Sequence, residues 1–97
     1  MALTIGCVGC GNMGGAIMAG LARTGGYSLC GYNRTVARMR PLEELGVSVL
    51  QSPLAVAQAA DVLILGVKPY QAAEVLEQMR SGLTAEKTVV SVAAGVS

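Results

Sequence analysis

The residues Ile5–Ile17, IGCVGCGNMGGAI, constrain the fold more than any other stretch. A short apolar run passes into a helical repeat through Gly9, Gly11 and Gly14, a G-x-G-x-x-G spacing. Cys7 and Cys10 lay a second pattern, C-x-x-C, over the same residues. Glycines so spaced carry meaning when a strand precedes them and a helix follows, and the flanks supply both. Leu3–Val8 alternates Leu3, Ile5 and Cys7 against Thr4, Gly6 and Val8, which reads as a strand. From Asn12 the repeat lengthens: Met13, Ala16, Ile17, Gly20 and Leu21 fall on one helical face until Gly25 and Gly26 stop it.

The same alternation continues to the end. Ser28–Tyr32 is a second strand. Thr35 opens a helical stretch that closes at Gly46, with Pro41 in its middle. A proline there removes a hydrogen bond and crowds the preceding turn, so the stretch is either a kinked helix or two short turns, the second starting at Pro41. Val47–Leu50 is a third strand. Ser52 followed by Pro53 is a good helix opening, and that helix runs to about Ala60. Val62–Val67 is the most apolar run and hence a central strand. Ala72, Val75, Leu76 and Met79 make the last helical stripe, ended by Gly82, and Thr88–Val92 is the fifth strand.

Strands alternating with helices over short connections give an α/β fold with right-handed crossovers. The expected architecture is a doubly wound, Rossmann-type parallel sheet in the order 3-2-1-4-5, with helices on both faces. Composition agrees. Hydrophobic residues make up 53% of the 97, yet there are three Tyr and no Phe or Trp. Small branched side chains suit a parallel sheet buried on both faces.

Several classes are excluded as expectations. Net charge is +1 with no basic stripe, so no nucleic-acid partner is expected. The longest apolar run falls far short of the roughly 20 residues of a membrane span, so no membrane partner is expected either. No basic n-region precedes Arg23, and three cysteines without a secretory leader read as reduced thiols of a cytoplasmic protein.

The two overlapping patterns compete for the chemistry. A structural zinc site needs four ligands, and the chain has three Cys and no His. A redox pair would sit at a helix start, as Cys10 nearly does, but Cys7 lies within a strand. The two sulfurs are therefore expected to diverge and no redox role is assigned; Cys30 reads as a small core hydrophobe. No metal site is assigned. The glycine pattern meets its requirements: Gly9 for the tight turn, Gly11 for backbone approach to a pyrophosphate, and Gly14 for close helix packing. The helix starting near Asn12 aims unpaired N–H groups at the phosphates.

The second strand selects the dinucleotide. An NAD site carries Asp or Glu at the end of this strand for the ribose 2′-hydroxyl. Here the strand ends in Asn33, Arg34 and Thr35, and no carboxylate precedes Glu43. Those groups suit a 2′-phosphate, with charge-assisted bonds of about 1.5–3 kcal/mol each. The expected cofactor is NADPH, with NADP preferred over NAD. The same missing acid argues against a methyltransferase. Ligands of open α/β sheets lie beyond the carboxyl ends of the strands, which adds Val67, Lys68 and Pro69 after the fourth strand. Ala93, Ala94 and Gly95 join them after the fifth. With Gly9, Cys10, Gly11, Asn12, Met13, Gly14, Asn33, Arg34 and Thr35, these are the expected cofactor-binding residues. No catalytic residue is assigned, because the chain lacks His and its few carboxylates lie on outer helix faces, apart from Asp61.

Four segments together resemble the N-terminal domain of the pyrroline-5-carboxylate reductase family: IGCVGCGNMGGAIMAGL, NRT, ADVLILGVKP and VVSVAAGVS. The glycine turn alone is shared with other NAD(P) enzymes, including β-hydroxyacid dehydrogenases; the added segments narrow the match. The resemblance covers essentially the whole chain and implies hydride transfer from NADPH to the C=N carbon of a cyclic imine, yielding L-proline. It also implies that residues 1–97 are the dinucleotide-binding domain. A second, all-helical domain, absent from this chain, would then form the homo-oligomer and much of the substrate pocket. Alone, the chain is expected to bind NADPH and to turn over the imine poorly. Pro53 stands where the family often has Asn, and Pro41 is unusual after the NRT segment. The other readings are a β-hydroxyacid dehydrogenase-like domain or a non-catalytic NADP(H)-binding module.

Overall fold

A computed structural model describes residues 3–10 and 12–91, with the backbone alone at 12, 69 and 91. Five strands form one parallel sheet: β1 (Leu3–Val8), β2 (Tyr27–Tyr32), β3 (Ser48–Val49), β4 (Val62–Leu65) and β5 (Thr88–Ser91). Their order is β3-β2-β1-β4-β5, as expected. β1 is central: Ile5 faces Leu29 of β2 on one side and Val62 of β4 on the other. The helices are α1 (Asn12–Thr24), α2 (Arg40–Glu44), α3 (Pro53–Ala59) and α4 (Pro69–Met79).

Strand alternation sorts the core into two layers. Ile5, Cys7, Leu29 and Ile64 point to one face and pack against Met18 of α1 and Leu42 of α2. Val8, Cys30, Leu63 and Leu65 point to the other, against Val56 and Ala57 of α3 and Met79 of α4. Full burial of each such aliphatic side chain contributes about 1.5–3 kcal/mol before entropy is counted. Ser52 caps α3 as its sequence suggests: its Oγ accepts the Ala55 N–H at 3.0 Å.

Local details depart from the sequence reading. The buried face of α1 centres on Gly14 and Met18, with Ile17 and Leu21 beside it, while Met13 is 47% exposed. The stripe is thus turned by about one residue, because Ala and Gly give hydropathy little contrast on this helix. The stretch after Thr35 splits into a 3-10 turn, Val36–Met39, and α2, which starts at Arg40 so that Pro41 falls in its first turn. A proline there costs no intrahelical bond. β3 pairs at only two residues, and β4 stops at Leu65. Leu76 of α4 faces outward. β5 occupies the sheet edge, where Val89 and Val90, on opposite faces, are 41% and 43% exposed.

Candidate functional site

The sheet ends its central strands in close-packed glycine. Gly9 takes φ +80, a left-handed conformation that favours glycine. Its N–H donates to the Tyr32 carbonyl at 2.9 Å, and Gly66 N–H donates to the Val8 carbonyl at 2.8 Å. The turn is therefore tied to β2 on one side and to the end of β4 on the other. A Cβ at Gly9 would meet Val67 Cγ1 at 2.6 Å, and one at Gly66 would collide with the Gly9 carbonyl oxygen. Gly14 brings α1 against the same spot: a Cβ there would lie 3.0 Å from both Cys7 Sγ and the Gly9 oxygen.

Above this floor opens a cleft of about 550 Å³ at the carboxyl ends of β1, β2 and β4, within the range of small-molecule sites. Gly9, Gly66 and Val67 line its base. Asn33, Arg34 and Thr35 line one wall and Lys68 another. Asn33 Nδ2 donates to the Thr35 carbonyl at 3.0 Å, which folds the turn after β2 and holds the Arg34 backbone in place. The Arg34 and Lys68 side chains have no hydrogen-bond or ion-pair partner among the described residues. At the start of α4, Gln71 Oε1 accepts the Lys68 N–H at 3.3 Å. No acidic residue lies in the first turn of α1, so none of its own carboxylates competes for that positive helix end.

The expected site residues divide accordingly. Gly9, Asn33, Arg34, Thr35, Val67 and Lys68 share the cleft. Gly14 is buried beneath the turn and Met13 points away from the cleft. Asn12 begins α1 and Pro69 begins α4. Cys10 is 2% exposed and lines a separate groove, so its side chain is no part of the cleft. Gly11, Ala93, Ala94 and Gly95 lie outside the described residues.

One expectation about the cysteines is corrected. Cys7 and Cys10 do not diverge but enter the same core layer, and Cys10 Sγ lies 3.3 Å from the Cys7 carbonyl. The positive φ at Gly9 breaks the strand alternation and returns Cys10 to the side of Cys7.

The cleft also holds residues that the sequence reading passed over. Arg38 is the most telling: the 3-10 turn places it one turn beyond Thr35, with its N–H bonded to the Thr35 carbonyl at 3.1 Å. Spacings of three from Thr35 and four from Arg34 were the available signal. From α4, Gln71, Glu74, Val75 and Gln78 form the far wall, and Pro53 contributes from α3. Among the described residues Glu74 is the single carboxylate in the lining, and it lies across from β2 rather than at its end.

A family model described as NADP oxidoreductase, coenzyme F420-dependent, matches residues 4–95. Pyrroline-5-carboxylate reductase of Escherichia coli K12 is 37% identical over 96% of this chain and 36% of its own length. A solved pyrroline-5-carboxylate reductase from Coxiella burnetii superposes with a TM-score of 0.85 at 34% identity, over 100% of this chain and 37% of that one. An imine reductase from Myxococcus stipitatus in complex with NADP+ gives a TM-score of 0.84 at 25% identity, over 95% and 32%. The chain spans about a third of the length of the pyrroline-5-carboxylate reductases it matches.

Proposed function

This chain belongs to the family described as NADP oxidoreductase, coenzyme F420-dependent, and from that premise we propose that it is the NADPH-binding domain of a pyrroline-5-carboxylate reductase. The observation that carries the reading is the end of β2, where Arg34, Thr35 and Arg38 line the cleft without a carboxylate beside them. The cleft fits the cofactor chemically: the backbone of Gly9 and Gly66 in its lining to lie against a diphosphate, then cations and a hydroxyl for a 2′-phosphate. The likeness to reductases of pyrroline-5-carboxylate and of imines supports the substrate class.

NADPH, when bound, would supply the hydride for the imine carbon. This domain's task is placement. Gly9 and the start of α1 hold the diphosphate, Arg34, Thr35 and Arg38 hold the adenosine end, and Val67 and Lys68 border the path between. Such positioning can lower a barrier by up to about 7–11 kcal/mol, and the nicotinamide carries the redox chemistry. Cys10, Gly11, Asn12, Met13, Gly14, Pro69, Ala93, Ala94 and Gly95 complete the proposed cofactor contacts, through backbone where side chains turn away. Dimerisation and much of the substrate pocket are assigned to an all-helical domain outside these 97 residues. No helix among the described residues is long and apolar enough to cross a membrane. The three free, buried thiols support a reducing, cytoplasmic setting.

Calorimetric titration with NADPH and NADH tests the binding step. NADPH should bind the tighter of the two, and Arg34→Ala should weaken NADPH by about 1.5–3 kcal/mol with little change for NADH. Equal affinities for the two cofactors would sink the reading. Assay with pyrroline-5-carboxylate and NADPH tests the rest: the 97-residue chain should bind cofactor yet reduce the imine slowly if at all.

A further inference from the structure

The thiols of the C-x-x-C in the opening turn take no part in the cleft, yet both enter one core layer. Cys7 is fully buried in β1, and Cys10 folds back into the same layer. Cys10 Sγ donates weakly to the carbonyls of Cys7 at 3.3 Å and Tyr32 at 3.6 Å. Two glycines make room: a Cβ at Gly31 would come within 3.0 Å of Cys10 Sγ, and one at Gly14 within 3.0 Å of Cys7 Sγ. Cys30 lies in the other core layer.

The pair also has an approach from solvent. A groove of about 440 Å³ runs between α1 and α2, and Cys10 forms part of its wall. Ala16, Ala19 and Leu42 make the groove apolar, and Arg23 and Arg38 line it with no carboxylate among them. A helix start favours a thiolate over a thiol, and α1 begins two residues after Cys10. The neighbouring Cys7 thiol points the same way: it holds Cys10 below its ordinary value, while the pairing and burial push Cys7 up. Burial raises Cys30 instead.

We infer that Cys7 and Cys10 form a redox-active dithiol, oxidised by small peroxides entering through the α1–α2 groove, and that its closure distorts the glycine turn. The consequence for cofactor affinity rests on the NADPH-binding reading above. The Cys10 thiolate attacks one peroxide oxygen, the O–O bond breaks, and the departing hydroxide takes up the proton Cys10 has lost to leave as water. The Cys7 sulfur then attacks the resulting sulfenic sulfur; the S–S bond forms, the S–O bond breaks, and a second water leaves with the Cys7 proton. Two thiols have given up two electrons and two protons to one peroxide. The bridge takes Cys10 Sγ from its two carbonyl acceptors and pulls on Gly9, which is already packed against Val67.

The test treats reduced protein with hydrogen peroxide, then reads intact mass, a peptide map after alkylation, and NADPH affinity by calorimetry. The expected result is a mass lower by two hydrogens, a Cys7–Cys10 linked peptide and an alkylated Cys30. Affinity should fall by about tenfold or more, an ordinary size for coupling between sites, and return with dithiothreitol. Cys30→Ser should respond as the parent does, and Cys7→Ser should form no bridge. Separate sulfinic acids without a link, or a bridge through Cys30, overturn the dithiol. A Cys7–Cys10 bridge formed at unchanged affinity overturns its hold on the turn. If the reduced protein binds no NADPH, the functional reading fails while mass and peptide map still decide the dithiol.

Discussion

The two ends of the parallel sheet treat their polar groups in opposite ways. At the amino end, Asp61 Oδ2 accepts the Thr4 N–H at 3.0 Å, its own N–H donates to the Thr4 carbonyl at 2.8 Å, and its carbonyl accepts the Thr88 N–H at 3.0 Å. One residue thus ties β1, β4 and β5 together. Lys87 Nζ donates to the carbonyls of Ala57 and Gln58, satisfying the last turn of α3 where a cation also suits the helix dipole. At the carboxyl end, Arg34, Arg38 and Lys68 face a cleft with no internal partner among the described residues. One end has folded its charges into the structure; the other holds them ready for something from outside. The lesson is that unmatched cations over bare backbone mark the working end of this sheet.

The contrast can be broken by substitution. The largest effect is expected from Gly66→Ala, since the new methyl collides with backbone oxygen rather than a yielding side chain. A loss of about 3 kcal/mol in urea unfolding is expected, together with loss of NADPH binding. A fully stable Gly66→Ala protein would mean the turn is less tightly seated than described. Arg38→Ala comes next: NADPH affinity should drop by about 1.5–3 kcal/mol, while unfolding stays within about 0.5 kcal/mol of the parent. Lys87→Met should do the reverse, costing about 1 kcal/mol in unfolding and leaving cofactor affinity unchanged. The smallest effect belongs to Glu77→Gln. It is exposed on α4 with its partner Arg80 3.4 Å away just past the helix end, and neither readout should move measurably. If Arg38→Ala destabilised the fold as much as Lys87→Met, the division between the two ends would fail.

Much of this was legible beforehand, and for definite reasons. Alternation in Leu3–Val8 and the Ser52–Pro53 opening are local signals with local causes, so β1 and α3 fell where expected. The order of the sheet followed from crossover handedness, which needs no side-chain detail. What escaped depended on contacts distant in sequence or on backbone geometry. Pro41 could be fitted either by a kink or by two turns, and only packing of Met39 and Leu42 against the sheet selects two turns. Arg38 entered the cleft because the intervening turn is a tight 3-10 helix rather than an α-helix. Cys10 rejoined Cys7 because one glycine reversed the strand's alternation, which no count of periods registers. Arg34 and Lys68 reached the cleft directly, since each follows the end of a strand by a few residues.

The open flank of the sheet has a practical outcome. Among the described residues β5 is the outermost strand, and it carries two valines about two-fifths uncovered, one above and one below. Such a rim is a ready template on which another copy can zip, so concentrated samples of the 97-residue chain should turn cloudy sooner than its unfolding midpoint suggests. A lysine in place of Val89 would slow that clouding without disturbing nucleotide capture.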